Sequence, residues 1–343
     1  MPKQLLFNRN ENLWGPSPSA MKALRQFSAD HAALYIDGYH TSILAPKLSK
    51  MFGIPEDQII VGYGLEHIIR IIFDSLDPKT DIALTHELHY TYYEKYASFR
   101  KVRLEKFNMV EGEKSFAFDV DHCIEKIQQL KPKVVFIISP NNPTGNTIAA
   151  KDLVRILAAA GKDTIVVLDE AYFGFDDMHE EKKTLALVKK HDNLMVLRTF
   201  SKFYGLAGLR IGFALCGKKI KELLKYQSHY LGASRILEEV AVAALDSQPY
   251  YKKVSREIIK ERDQLIRDIN TLHNFKAYES KSNHIAVRVN KKAKPFLEKK
   301  SKNTKAVIFK FTTDGLMRVS IAPKIHTAPF LKVLREVDRA VKG

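Results

Sequence analysis

KVVFIISPNNPTGNTIAAKDLVRILAAAGKDTIVVLD (133–169) decides the fold. An unbroken apolar run, VVFII, passes through a turn at 139–146 into AAKDLVRILAAA, whose apolar residues recur at helical spacing. Gly161 closes that helix, since glycine accepts the left-handed backbone common at helix ends. A second apolar run, TIVVL, then ends in Asp169. A strand apolar on both sides must be covered on both faces, and a helix between two such strands is the crossover of a parallel pair.

The same rhythm extends outward. QIIVGYG (58–64) reads as strand and turn, LEHIIRIIFDSL (65–76) as helix, DIALTH (81–86) as strand and TYYEKYASFR (91–100) as helix. Downstream, NLMVLRTF (193–200) is another strand. The reading is an α/β fold with a mostly parallel central sheet covered by helices. After about residue 220 the pattern changes. KKIKELLKYQSHYLGASRILEEVAVAAL (218–245) and PYYKKVSREIIKERDQLIRDINTL (249–272) read as long helices. Two short strands, HIAVRV (284–289) and LMRVSIA (316–322), and a final helix, APFLKVLREVDRAV (328–341), complete a smaller α+β unit. We therefore expect an arm over 1–30 that packs on the small domain or a partner, a large domain over 31–220 and a small domain over 221–343. Within the arm, SAMKALRQF (19–27) reads as a short helix that Ser17 or Ser19 can cap.

Composition narrows the class. The 343 residues are 45% hydrophobic and 27% charged, an ordinary globular balance. No apolar stretch is long enough for a membrane span, and the first twenty residues lack a signal-peptide core, so the cytoplasm is the expected location. Two distant cysteines, Cys123 and Cys216, make neither a disulfide framework nor a thiolate zinc site. The net charge of +16 is carried largely by lysines in solvated stretches such as 291–305, without interleaved aromatics. We read it as solubility and attraction for small anions, not as a nucleic-acid surface.

Polar features cluster at the carboxyl ends of the expected strands, where open α/β sheets bind ligands. Gly62–Gly64 follow one strand, Asn141–Gly145 a second, Asp169 ends a third and Ser201–Lys202 follow a fourth. Lysine alone at such a place is usually a solvated charge; desolvation or a second cation, here Arg210, makes it a nucleophile. Asp169 taken alone can cap a helix, but a carboxylate ending an apolar strand calls for a cationic partner, and a protonated pyridine nitrogen is one. Tyr172, three residues on, is within reach of a ring hydroxyl. SPNNPTGN (139–146) is a rigid turn that holds Asn142 at its strand end. VGYGLEH (61–67) is a glycine turn opening a helix, whose free N–H groups suit phosphate. It lacks the third glycine of a dinucleotide site, and the chain has no GxxxxGK[ST] motif, which argues against an NTPase. HELH (86–89) lacks zinc-site spacing, and His86 and His89 read as surface histidines or as residues that support the site from behind.

These stretches, with NENLWGPSP (10–18), VVLDEAYFGF (166–175) and RTFSKFYGLAGLRIGF (198–213), resemble the fold-type-I pyridoxal phosphate aminotransferases over nearly the whole chain. Within them they are most similar to the histidinol-phosphate aminotransferase group. The resemblance implies pyridoxal 5'-phosphate as cofactor and Lys202 as the lysine bonded to its aldehyde. It implies that Asp169 pairs with the ring nitrogen, that Tyr172 and Asn142 bond the ring oxygen, and that Tyr93 stacks on the ring. Ser201, Arg210 and the backbone at Gly64, Leu65 and Glu66 would hold the phosphate. Tyr35, or Tyr39 in its place, would reach the phosphate across a homodimer. Arg318 would grip the acidic group of the substrate, with Trp14 nearby. Three positions depart from the family pattern: Leu13-Trp14 stands where Pro-Tyr is usual, Leu65 where a small residue is usual, and VIFKF places Lys310 where a second arginine is usual. The implied reaction is transamination between an acidic or phosphorylated amine, with L-histidinol phosphate the best match, and 2-oxoglutarate. The alternatives are a decarboxylase of the threonine-phosphate type, an aromatic amino-acid aminotransferase and, from another class, a ligand-sensing regulator that lacks the expected DNA-binding module.

Overall fold

The computed structural model describes residues 7–33, 42–176, 179–220, 234–303, 310–313 and 315–341. Seven strands form the main sheet: β1 (Ile59–Gly62), β2 (Ile82–His86), β3 (Arg103–Phe107), β6 (Val134–Ile138), β7 (Ile165–Asp169), β8 (Leu194–Thr199) and β9 (Gly212–Cys216). A hairpin of β4 (Met109–Glu111) and β5 (Phe116–Phe118) stands apart from it. The strand order is β1-β9-β8-β7-β6-β2-β3. Neighbours pair in parallel except β9, which is antiparallel to both β1 and β8.

Alternate residues of each central strand enter opposite cores. Val134, Phe136 and Ile138 pack with Ile68, Ile71 and Ile72 of helix Leu65–Asp74. Val135 and Ile137 face the other way, with Leu153, Ile156 and Leu157 of helix Ala150–Ala160. Both faces of the sheet are thus buried, which is why these strands carry no polar face. Gly161 follows the second helix with φ 65°, as its sequence position predicts.

A smaller sheet follows, in the order β10 (Phe275–Ala277), β11 (His284–Val289), β13 (Leu316–Ser320) and β12 (Lys310–Thr313), antiparallel throughout. Helices Gln248–Ile269 and Lys324–Val341 cover it through Ile258, Leu265 and Leu334. The sequence reading missed β3, β4, β5, β9, β10 and β12. β9 lies inside the run that follows Lys202, and β12 is only four residues long. The helix expected over 218–245 is described as Arg235–Asp246, most of its earlier part lying outside the described residues.

The arm docks on both sheets. Phe7 is fully buried and stacks on Phe330 at 5.5 Å between centroids, a burial worth about 2–3 kcal/mol. The Ser320 N–H donates to the Phe7 carbonyl at 3.0 Å, and Asn12 Nδ2 donates to the Phe203 carbonyl at 3.0 Å. Helix Pro18–Arg25 begins after Ser17, whose Oγ accepts from the Ala20 N–H at 3.2 Å. Cys123 and Cys216 are buried free thiols. Among the described residues no helix is long and apolar enough to cross a membrane.

Candidate active site

The carboxyl ends of β1, β6, β7 and β8 open on one cavity of about 390 Å³, a size suited to a cofactor with substrate. Asn142, Asp169 and Tyr172 line its floor; Leu65, Glu66, Ser201, Lys202 and Arg210 line another part. Arg318, in the middle of β13, also reaches it. Because β9 runs antiparallel, its amino end lies at this same edge: Gly212 is level with Thr199 and Gly62. That direction brings Arg210, two residues earlier, beside the end of β1.

Asp169 is buried at the last position of β7. It accepts from Tyr93 Oη at 2.6 Å and from the Ala171 N–H at 2.9 Å. Burial pushes its carboxyl up to about 6, against the pull of these two donors. Among the described residues no cation pairs with it. Tyr172 Oη accepts from Asn142 Nδ2 and from Asn10 Nδ2, each at 3.0 Å. Asn142 Oδ1 in turn accepts from Arg318 Nη1 at 2.6 Å, and Arg318 Nη2 donates to the Asn8 carbonyl. Arg318 Nε is buried without a hydrogen-bond partner among the described residues.

The loop that carries Asn142 is tied internally. The Gly145 N–H donates to the Asn141 carbonyl at 2.8 Å, and the Asn141 N–H to the Asn146 carbonyl at 2.8 Å. Gly145 has φ 77°, and a Cβ there would lie 2.2 Å from Ser280 Oγ, so only glycine fits.

Lys202 Nζ donates to the Arg9 carbonyl at 2.9 Å. Burial, and after it the charge of Arg318, pushes this ammonium down to about 8, with Glu11 opposing. The other end of the cavity is cationic and rich in donors. Helix Leu65–Asp74 starts at Gly64 with no side chain capping its first N–H groups. Arg210 Nη1 lies 3.4 Å from Ser201 Oγ, and Arg210 Nη2 lies 3.7 Å from Glu66 Oε2. Gly64 has φ 75°, and a Cβ on it would sit 2.8 Å from Arg210 Nη2. Leu65 lines the cavity, and its side chain also lies close to Gly212, where a Cβ would come within 3.1 Å of Leu65 Cδ2.

Two expected residues stand elsewhere. Tyr93 is fully buried behind Asp169 instead of facing the cavity, because helix Tyr92–Arg100 turns it into the core against Phe136. Tyr90, just ahead of that helix, does line the cavity, with Oη donating to Glu66 Oε1 at 2.9 Å. Trp14 packs against the hydrophobic core and does not line the cavity; its carbonyl accepts from Tyr250 Oη at 3.3 Å. Tyr35 and Tyr39 lie outside the described residues, as does the side chain of Lys310, whose backbone pairs with Arg318 across β12 and β13. Sequence reasoning also missed Asn10 and His284, both fully buried against Tyr172. His86 and His89 serve the sheet edge: His86 Nε2 accepts from the Ile138 N–H at 3.3 Å, and His89 Nδ1 meets the His86 carbonyl at 2.7 Å.

The cavity fits a ligand with three features. An unpaired buried carboxylate, Asp169, suits a cationic ring nitrogen. A lysine with depressed proton affinity suits an aldehyde. An uncapped helix start beside Arg210 and Ser201 suits a phosphate. Pyridoxal phosphate carries all three groups.

Residues 2–333 match the family model for aminotransferase class I and II. The histidinol-phosphate aminotransferase of Methanosphaera stadtmanae is 32% identical, over 96% of this chain and 89% of its own. Among solved structures, the histidinol-phosphate aminotransferase from Sinorhizobium meliloti in complex with pyridoxal-5'-phosphate is similar, with TM-score 0.86 and 24% identity over 97% of this chain and 90% of its own. The L-threonine-O-3-phosphate decarboxylase of Porphyromonas gingivalis has the same fold, with TM-score 0.78 and 18% identity over 97% and 99%. At such identities the structural likeness is one of fold.

Proposed function

The chain belongs to the aminotransferase class I and II family, whose cofactor is pyridoxal phosphate, and we propose that it moves an amino group from a phosphorylated amine, L-histidinol phosphate, to 2-oxoglutarate. The observation that carries the donor class is Arg318: it lines the cavity that holds Lys202, and among the described residues its buried Nε has no partner. A guanidinium with an unmet donor suits an acidic group on the substrate. The name of the Methanosphaera relative supports this choice.

When bound, pyridoxal phosphate supplies an aldehyde carbon and a ring that withdraws electrons from the donor's amine-bearing carbon. Lys202 Nζ would hold that aldehyde and, once released, take the proton from the amine-bearing carbon and return it to the cofactor side. Its lowered proton affinity suits a base that must be neutral near pH 8. Asp169 would keep the ring nitrogen protonated. Tyr172 and Asn142 would hold the ring oxygen. Ser201, Arg210 and the helix start at Gly64–Glu66 would hold the phosphate, and Tyr90, in place of Tyr93, would lie against the ring. We further propose a cytoplasmic homodimer with the domain limits expected above, in which Tyr35 or Tyr39 serves the partner's phosphate.

The test is to load the protein with pyridoxal phosphate and add L-histidinol phosphate, aspartate, aromatic amino acids and O-phosphothreonine separately. Conversion to pyridoxamine phosphate by histidinol phosphate, followed by glutamate formation on adding 2-oxoglutarate, is the expected result. Conversion by aromatic amino acids alone, or carbon dioxide release from O-phosphothreonine, overturns the donor assignment.

A further inference from the structure

Asn10 sits at the centre of a buried hydrogen-bond chain to which the reading above gives no role. It is fully buried, with φ 54°. Its Nδ2 lies 3.0 Å from Tyr172 Oη and 3.1 Å from His284 Nδ1, while its Oδ1 lies 2.9 Å from Ser320 Oγ. His284, at the start of β11, is also fully buried, and its Nε2 lies 3.2 Å from the Asn141 carbonyl.

Hydrogen-bond polarity allows one arrangement. A carbonyl oxygen only accepts, so His284 Nε2 carries the hydrogen. Burial, then the charge of Arg318, holds the imidazole well below the usual histidine range, so the ring is neutral and Nδ1 is bare. Nδ1 must then accept. Ser282 Oγ, 2.5 Å away, is one donor, although its proton can instead go to the His284 carbonyl at 3.3 Å. Asn10 Nδ2 is the other, which spends one of its two hydrogens. The second hydrogen points at Tyr172 Oη. Asn142 Nδ2 donates to the same oxygen at 3.0 Å. The phenol therefore receives two donors, and among the described residues no acceptor takes its own proton. Tyr172 lines the cavity, so that proton is left for a ligand. With the amide reversed, Asn10 Oδ1 would face the Nδ1 lone pair and would take the Tyr172 proton for itself.

We propose that Asn10 and His284 are positioning residues for the cofactor site. The Asn141 carbonyl sets the His284 tautomer, the tautomer sets which end of the Asn10 amide faces Tyr172, and that amide leaves the Tyr172 proton free for the ring oxygen of pyridoxal phosphate. The inference rests on the cofactor, not on the identity of the amine donor.

Two measurements test it. Nitrogen-15 NMR of the full chain without cofactor, assigned by comparison with His284→Gln, should show His284 as the neutral Nε2–H tautomer at neutral pH; the Nδ1–H tautomer or an imidazolium overturns the proposal. The second is a double-mutant cycle on the Kd for pyridoxal phosphate, read by titrating the cofactor into the cofactor-free protein. Asn10→Asp puts an acceptor where the donor stood. It should weaken binding about tenfold when Tyr172 is present and less than about twofold in Tyr172→Phe, as coupled partners behave. Equal losses in both backgrounds mean that Asn10 is merely structural and overturn it. If Tyr172→Phe alone leaves the Kd unchanged, the ligand does not use the Tyr172 proton and the proposal also fails. If the Asn10 variant does not fold, the tautomer of the unaltered chain still decides. Neither measurement depends on which amine reacts.

Discussion

The two ends of the cavity are built differently. The end around Asp169, Asn142 and Lys202 rests on strand termini whose backbones are paired in the main sheet. The end around Arg318 is assembled from the arm, through Asn8 and Arg9, and the small sheet, through Thr312 and Arg318. At the first end a ligand group meets side chains already held by two or more bonds, as Asp169 and Tyr172 are. At the second, Arg318 is also held by two bonds, to Asn142 Oδ1 and the Asn8 carbonyl, but among the described residues its buried Nε has no partner. Strand ends of the main sheet fix the chemistry common to a family, while the wall built from the arm and the small sheet selects what enters.

The largest effect should come from the main-sheet end. Lys202→Ala is expected to remove the visible absorbance of the lysine-bound cofactor and to lower turnover by about 10⁴ or more, measured by spectrum and steady-state assay. A variant that kept both would break the comparison outright.

Asp169→Asn should separate stability from function. The folded carboxyl titrates at about 6, above the ordinary carboxylate value, so folding favours its protonated form. That advantage is complete below the unfolded value near 4 and is lost as pH rises through about 6. In the cofactor-free protein at pH 8, Asp169→Asn should therefore raise unfolding free energy by on the order of 2–3 kcal/mol, each tenfold in proton affinity being worth ~1.4 kcal/mol. Turnover should fall by roughly 10²–10³ as the ring nitrogen loses its counter-charge. Denaturant melts at pH 4 and pH 8 check the sign; an equal gain at both would refute the linkage.

At the end built from the arm and the small sheet, Arg318→Lys replaces a planar fork with a point charge. KM for the donor should rise about 10–100-fold with a smaller change in kcat, and a change confined to kcat would count against a substrate role. The smallest effect is expected of Tyr93→Phe. It removes a donor to Asp169 without touching the cavity wall, so the acid limb of cofactor binding should move up by about one pH unit.

The main-sheet end was readable because its residues punctuate apolar runs: Asp169 ends TIVVL, and Lys202 follows LMVLRTF. Each strand brings its polar residue to the edge by topology alone. Tyr93 was expected at the cavity and is buried, while Tyr90 lines it; both lie in one aromatic stretch, and which ring faces the cavity depends on the helix starting at Tyr92. β9 was missed because its direction is set by pairing with β1 and β8, not by its composition. Asn10 and His284 are separated by 274 residues, and no periodicity links an arm to a strand start. Trp14 was misplaced for a similar reason: an irregular segment has no face from which to infer burial.

The arm carries one more consequence. The Asn10 N–H donates to Ser320 Oγ across 310 residues of sequence. The ribosome makes the arm long before the strand it docks on. A nascent chain can thus hold Lys202, Asp169 and Tyr172 in a folded main sheet while Asn10 still waits for β13. A translation product cut short before Ser320 would keep the reactive lysine and the Asn12 contact with Phe203, but Phe7 and Asn10 would lack their bonds to β13. If Asn10 positions Tyr172 as proposed, retention of the cofactor would then distinguish chains that have completed β13 from those that have not.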